Sequence, residues 1–269
     1  MLNAKFYETY YFCNIIRNVL NDQFSFARDL HEFYGDGRIL GLIDPFQKYS
    51  TFHLFIEFVV ENIYSEQITK VTSPMASKLP IERAMEFHSI EHHSFQEFLE
   101  SPARKNSIFP DDNIADYIES LMSEGQFDAL LKQTVKEVFH VLFQNRELML
   151  EFNEMMASAF EMDSDIFTCE QEAIYLARKG KLKRKSIPKW VKRAVFFRDR
   201  GRCVLCTKDL SGMLSLENVE NYDHIVPLAK FGLNDVSNIQ LLCKECNQNE
   251  KRANSGITSS VYQSWYPYD

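Results

Sequence analysis

Six cysteines occur in the 269-residue sequence, and four of them form two C-x-x-C pairs. The first pair is Cys203 and Cys206, and the second is Cys243 and Cys246. Each C-x-x-C turn places two thiolates on the same side, so two pairs supply the four ligands of a tetrahedral structural zinc site. We therefore predict structural Zn²⁺, whose binding would contribute on the order of 10 kcal/mol to folding. Buried, reduced cysteines without a metal are the alternative.

A second set of polar residues lies between and directly after the cysteine pairs. Asp223 and His224 lie in one short β-prone run, and Asn238 starts another. Asn247 directly follows Cys246 and begins a polar stretch that can form a helix. Turn-forming residues separate the two runs, so we expect a β-hairpin followed by a helix, with zinc joining the ends.

Taken in this order, these residues resemble the HNH endonuclease family, the ββα-metal form of the treble-clef zinc fold. The resemblance covers residues 188–254, about a quarter of the chain. It rests on the two cysteine pairs, the Asp-His dipeptide, the Asn of the second β-prone run and the Asn after the last cysteine. Two positions differ from the family pattern. Phe231 precedes Gly232 where the family often has two glycines, and Glu250 stands where a lysine is frequent, with Lys251 following it.

The resemblance implies hydrolysis of phosphodiester bonds at a site with a single catalytic metal ion. His224 would be the general base that activates water, a role suited to an imidazole, whose unperturbed pKa is about 6.5. Asp223 and Asn247 would hold one Mg²⁺ or Mn²⁺ through oxygen atoms, and the ion would stabilise the departing 3′ oxygen. Asn238 would orient the loop that carries the histidine. Because neighbouring strand residues point to opposite faces, local twist must bring Asp223 and His224 to one centre.

Two other functions fit parts of the sequence. A zinc-dependent protein that binds nucleic acid without cutting it needs only the cysteines and the basic residues. The segment from His88 to His92 matches the H-x-x-E-H pattern of inverted zinc proteases, in which two histidines on one helix face bind zinc. That site also needs a third, carboxylate ligand, and no acidic residue is marked out for it. A polar helix face is the simpler interpretation of this segment.

The charge distribution divides the chain. Residues 1–175 carry 13 Lys and Arg against 29 Asp and Glu, a net charge of −16, whereas residues 176–269 carry 17 against 9, a net charge of +8. Between Arg178 and Arg202 there are 12 basic residues and one acid, which favours contact with nucleic-acid phosphates. The predicted DNA contacts are Lys183, Arg184, Lys185, Lys189, Lys192, Arg193 and Lys251.

Apolar residues at helical spacing indicate a mainly α-helical N-terminal part. One helix is expected to start at Thr51, its predicted cap, and another to cover residues 131–142. Turn-forming residues predict six or seven helices there. We expect an all-helical regulatory or oligomerisation domain (residues 1–175), a basic linker (176–187) and a small α+β HNH nuclease domain (188–269) with structural zinc.

Composition and hydropathy exclude several classes of protein. The chain is 45% hydrophobic and 25% charged, as in ordinary globular proteins, and lacks a run of ~18 apolar residues that could span a membrane. Its first residues do not have the pattern of a secretory signal, so we expect a cytoplasmic protein with no membrane partner.

The sequence is compatible with three roles for the helical domain. It could be an oligomerisation platform, a sensor for another protein or a small ligand, or an acidic cover over the basic part. Because an HNH site generally cuts one strand, we expect a homodimer, or a regulatory protein partner. The prediction is thus a DNA endonuclease of restriction, phage defence or a mobile element.

Overall fold

A computed structural model of the chain describes residues 1–70, 78–101, 113–163, 168–177, 180–212, 221–249 and 256–266. The chain forms two compact units, each built from two stretches of sequence. Unit 1 comprises residues 1–16 and 55–140, and unit 2 comprises residues 17–54 and 141–269. Unit 2 therefore contains the predicted nuclease segment together with residues from the helical part. The predicted domain boundaries at 175 and 188 stay a prediction.

α-Helices form most of the regular structure before residue 176. The described residues there contain nine helices, whereas the sequence predicted six or seven. Two of the nine have only six or seven residues, too few for apolar periodicity to reveal them. The helices are α1 (Thr9–Asn21), α2 (Ala27–Tyr34), α3 (Thr51–Lys70), α4 (Pro80–His88), α5 (Phe95–Glu100), α6 (Asn113–Ser123), α7 (Gln126–Leu142), α8 (Arg146–Met162) and α9 (Cys169–Tyr175).

Unit 1 has an apolar core, and the buried carboxylate of Glu137 ties the start of the chain to it. The ring of Phe12 packs against Tyr64, with 5.4 Å between ring centroids. Glu137 is 0% exposed, and its carboxylate accepts hydrogen bonds from the backbone of Lys5 and from the Thr9 hydroxyl, both 2.8 Å. These bonds fix the first residues of the chain within this unit.

Unit 2 is built around α8. Phe152 on this helix packs against Phe52, with ring centroids 4.8 Å apart, and both side chains are fully buried. On the same helix, Asn153 donates a hydrogen bond to Ser237 Oγ at 3.2 Å. The helix therefore supplies both apolar and polar contacts to the C-terminal residues of the unit.

The C-terminal part contains the predicted hairpin and the helix that follows it. Strand β1 (Asn221–His224) pairs antiparallel with β2 (Ile239–Leu242), and His224 lies opposite Ile239 in the register. Helix α10 (Lys189–Arg198) contacts β2, and α11 (Lys244–Asn249) contacts β1. The chain between the strands, residues 225–238, is called the β1–β2 loop below.

None of the helices in the described ranges combines the length and the apolar character needed to cross a bilayer.

Candidate functional site

The four paired cysteines converge on one point. The sulfur atoms of Cys203, Cys206, Cys243 and Cys246 all lie within 4.8 Å of one another, and those of Cys206 and Cys243 are 3.7 Å apart. A tetrahedral zinc ion with bonds of about 2.3 Å needs sulfur atoms about 3.8 Å apart. The donor set and its spacing therefore fit one tetrahedral metal ion.

The loop of the first cysteine pair is fixed by backbone hydrogen bonds. The amide of Cys203 donates to Lys208 O, and the amide of Thr207 donates to Cys203 O, both at 2.9 Å. The next amide, that of Val204, donates to Leu241 O of β2 at 3.0 Å. The second pair lies at the start of α11. The hairpin and the two cysteine loops are thus joined directly.

The surroundings of the cysteines favour different protonation states. Burial would raise the pKa of Cys203, but hydrogen bonds from the backbone of Cys206, Cys243 and Leu205 lower it below its usual value. Burial raises the pKa of Cys243 to about 11 and that of Cys246 still higher. Four thiolates so close together need a bound cation to offset their mutual repulsion, which is the condition that a zinc ion satisfies.

Asp223 and His224 approach each other at the end of β1. His224 Nδ1 lies 4.0 Å from Asp223 Oδ1, and the same oxygen accepts a hydrogen bond from the His224 backbone amide at 2.9 Å. The imidazole is 1% exposed, whereas the Asp223 side chain is 17% exposed. Although adjacent strand residues alternate in direction, the two side chains therefore reach a common region.

Asn238 closes the β1–β2 loop. Its Oδ1 accepts from Val226 N at 2.8 Å, and its Nδ2 donates to Val226 O at 3.0 Å and to Leu233 O at 2.8 Å. Gly232 is needed beside it, because a Cβ atom there would lie 2.0 Å from Val226 O. These contacts hold the chain two residues after His224, and the orienting role of Asn238 stays a prediction.

Phe231, which stands at a position where the family often has glycine, adopts a left-handed backbone conformation with φ of 61°. This conformation costs a non-glycine residue roughly 1–2 kcal/mol. The phenyl ring packs against Phe160 of α8, with centroids 6.0 Å apart. Through this contact the large residue at this position packs against α8.

Asn247, the second predicted ligand of the catalytic ion, and Lys251, a predicted DNA contact, differ in what the structure describes. Asn247 lies in the first turn of α11, is half-buried, and its amide donates to Cys243 O at 3.0 Å. It is therefore fixed relative to the cysteines, on the helix that contacts β1. Lys251 lies outside the described residues.

Three of the predicted DNA contacts line one cleft next to β1. The cleft has a volume of ≈ 480 Å³ and is called the basic cleft below. Its lining consists of Arg184, Lys185, Ser186, Ile187, Lys192, Asn221 and Tyr222. Arg184 Nη2 lies 4.0 Å from Asp223 Oδ1, so one residue of the lining approaches the Asp-His pair.

Three further predicted contacts lie outside the lining of this cleft. Lys189 and Arg193 are exposed on α10, and Lys183 is half-buried. The Arg193 guanidinium lies 6.0 Å from the centroid of the Phe197 ring. The cationic surface therefore continues from the basic cleft along α10.

The sequence did not reveal several polar residues that hold the site. Asp199 is buried and accepts from both Arg198, at 2.8 and 2.9 Å, and the Leu241 amide of β2, at 3.0 Å. Asp235 accepts from the amides of Ser237, at 2.8 Å, and Thr51, at 2.9 Å. Burial raises the pKa of Asp235, against the effect of these hydrogen bonds. Sequence alone gives no signal for partners so far apart in the chain.

A third missed residue is Asn234, in the β1–β2 loop. It is 4% exposed, and its side chain lies 3.3 Å from His224 Nε2. An asparagine in a turn-rich stretch is ordinarily explained by turn formation, so nothing in the sequence predicted its contact with the histidine.

The H-x-x-E-H segment does not form one helix face, either as the zinc-protease alternative requires or as the simpler polar-face interpretation predicted. Helix α4 ends at His88, and Ser89 adopts a left-handed conformation, so His92 does not continue the same helix. His88 is buried 3.7 Å from Glu137, and His92 contacts the carbonyl of Ile90. Within the described ranges, the cysteine cluster is the one group of three or more His, Cys, Asp or Glu residues placed to hold a metal.

Comparison with protein families matches the C-terminal part of the chain. Residues 203–253 match the family model described as HNH endonuclease. The C-terminal part of the chain thus contains an HNH endonuclease domain, as the resemblance predicted, and the match includes both cysteine pairs and the Asp-His dipeptide. Comparisons with curated proteins and with solved structures gave no match.

Proposed function

We propose that this chain is a metal-dependent DNA endonuclease that hydrolyses phosphodiester bonds at a single-metal HNH site. The observation that carries the proposal is the approach of His224 Nδ1 to Asp223 Oδ1, 4.0 Å apart, at the edge of the basic cleft. In this proposal the cysteine cluster holds structural zinc in a treble-clef arrangement. His224 takes the proton from the attacking water, and Asn238 keeps its loop in place.

Asp223 and Asn247 are the proposed ligands of a catalytic Mg²⁺ or Mn²⁺, since both offer oxygen atoms and lie on elements in contact with each other. When bound, the ion would supply charge neutralisation at the scissile phosphate and the leaving oxygen. Arg184, 66% exposed, lies near Asp223 as a counter-charge and can swing outward when a cation occupies the site. It would then be available to contact a substrate phosphate.

Binding of the substrate rests on the basic cleft and α10. Arg184, Lys185 and Lys192 lie around one concave surface beside β1, where a phosphodiester backbone can meet several cations at once. The half-buried Lys183 and the exposed cations of α10 extend this surface. We propose duplex DNA as the substrate, with a homodimer or a regulatory protein partner bound through the helical region. A role in restriction, phage defence or a mobile element fits that combination.

A plasmid-nicking assay with Mg²⁺ or Mn²⁺ tests the proposal. We expect the wild type to nick supercoiled plasmid and His224→Ala to lose this activity by at least about 100-fold, the range expected when a general base is removed. The matched control is His31→Ala, which removes an exposed histidine of α2 and should leave nicking unchanged. Zinc content and thermal melting of each variant exclude a loss through unfolding.

The alternative is a zinc-dependent nucleic-acid-binding protein without catalysis. Its support is the burial of His224, whose side chain is only 1% exposed. If wild type and His224→Ala bind DNA equally and neither cuts it with any divalent ion, this alternative replaces the nuclease.

A further inference from the structure

Two backbone groups fix the orientation of the Asn234 side-chain amide. Its Nδ2 donates to Lys183 O at 2.9 Å, and its Oδ1 accepts from Lys185 N at 3.4 Å. A carbonyl can only accept and a backbone amide can only donate, so exchange of the amide oxygen and nitrogen would place like groups together at both contacts. The oxygen of Asn234 therefore faces Lys185, and the nitrogen faces Lys183.

The same oxygen determines which nitrogen of His224 carries the proton. His224 Nε2 lies 3.3 Å from Asn234 Oδ1, in a buried setting. Because an amide oxygen only accepts, Nε2 must donate, and in a neutral imidazole the other nitrogen then carries the lone pair. That nitrogen, Nδ1, is the one that lies 4.0 Å from Asp223 Oδ1.

The backbone of Asn234 is held as firmly as its side chain. Its carbonyl accepts from Phe46 N at 2.8 Å, and Leu233, the preceding residue, is held by Asn238. The amide therefore approaches His224 from a fixed position, and it links the backbone of the basic segment around Lys183 to the imidazole.

We infer that Asn234 is a positioning residue that holds His224 in the Nε2–H tautomer and so presents Nδ1 as the basic nitrogen. The tautomer follows from the geometry alone. The catalytic consequence rests on the proposed nuclease function, because only then does Nδ1 accept a proton from water.

The tautomer can be read by two-bond ¹H–¹⁵N correlation spectra of the imidazoles in zinc-loaded, ¹⁵N-labelled full-length protein at about pH 8, where free imidazole is neutral. Seven histidines contribute signals, and the spectrum of His224→Gln identifies the one from His224. We expect a protonated Nε2 and an unprotonated Nδ1. A protonated Nδ1 in the wild type overturns the inference without any variant.

Two substitutions separate the hydrogen bond from simple packing. Asn234→Asp keeps an oxygen facing Nε2 and should retain the tautomer, at a cost in stability because its second oxygen meets Lys183 O in place of the Nδ2 donor. Asn234→Leu has a similar size but no acceptor and should yield a mixture of tautomers. In the nicking assay, Asn234→Leu should lower kcat about tenfold with KM unchanged, and Asn234→Asp should restore most of the loss.

The outcomes for the inference and for the nuclease proposal are distinct. If the wild type has the Nε2–H tautomer but cuts no DNA, the positioning role stands and the proposed activity fails. If the wild type cuts DNA and folded Asn234→Leu keeps both the wild-type tautomer and the wild-type kcat, the activity stands and the positioning role is wrong.

Discussion

Replacing Asp199 with alanine should destabilise unit 2 by about 3–5 kcal/mol. The carboxylate is 0% exposed and accepts from two nitrogens of Arg198, whose side chain is 1% exposed. A third bond comes from the amide of Leu241 in β2. The substitution leaves a buried guanidinium without its carboxylate and a strand amide without its acceptor. Both changes are costly because the Arg198 side chain and the Leu241 backbone are buried.

Equilibrium urea unfolding of the zinc-loaded protein measures this loss, with the slope of the transition as a check on two-state behaviour. The matched control is Asp209→Ala, a half-buried carboxylate that accepts from Ser211 Oγ at 2.9 Å, for which a loss of about 1 kcal/mol is expected. Since whole domains are stable by only about 5–15 kcal/mol, the Asp199 variant should be near its unfolding threshold at 37 °C. A loss no larger than that of the control would refute the reasoning.

Three further predictions concern the metal, pH and DNA. Cys206→Ser should lower bound zinc well below one equivalent by elemental analysis and reduce the melting temperature, because one of four ligands is replaced; Cys13→Ala should keep its zinc. Burial lowers the pKa of His88 below its value in the unfolded chain. The contribution of His88 to the free energy of unfolding is therefore fully present above about pH 6.5, and it is lost as pH falls below that value because the unfolded state takes up the proton first. Urea midpoints should decline accordingly, by up to about 1.4 kcal/mol per pH unit, and His88→Leu should reduce the decline. Arg184→Gln should reduce the slope of the logarithm of the DNA-binding constant against the logarithm of salt concentration by the amount that corresponds to about one phosphate contact. The exposed Lys132→Gln should leave this slope unchanged.

Each of these has a clear contrary result. Full zinc occupancy in Cys206→Ser would remove this cysteine from the metal site. Equal pH dependence in wild type and His88→Leu would assign acid sensitivity to other groups. An unchanged salt slope in Arg184→Gln would place the DNA outside the basic cleft.

Local chemistry made the C-terminal elements predictable. Ligand spacing alone identified Cys203, Cys206, Cys243 and Cys246, because zinc imposes a fixed number and type of donors within short turns. Likewise, the apolar residues from Phe52 onward predicted the helix that begins at Thr51, and the buried side chains of Phe52, Phe55, Ile56, Val59 and Val60 recur at helical spacing.

Contacts between residues distant in the sequence could not be predicted in this way. The cap of α3 is Ser50, whose Oγ accepts from His53 N at 3.3 Å, and not Thr51 as predicted. Asp235, 184 residues further along the chain, accepts the amide of Thr51 instead. Two neighbouring hydroxyl residues satisfy the same capping pattern, and only the tertiary partner distinguishes them.

These long-range bonds also bear on how the helical region can influence the proposed active site. Asp235 and Ser237 belong to the loop that carries Asn234 and Asn238, and their partners lie at the start of α3 and on α8. A shift of either helix therefore changes the support of the loop before it changes any residue that touches substrate. If the helices act on His224 through the side-chain amides of Asn234 and Asn238, the acidic residues of the helical region need not contact DNA. Under the proposed function, the bonds to Asp235 and Ser237 thus give the helical part of unit 2 a route to the loop, and electrostatic covering of the basic cleft stays a separate prediction.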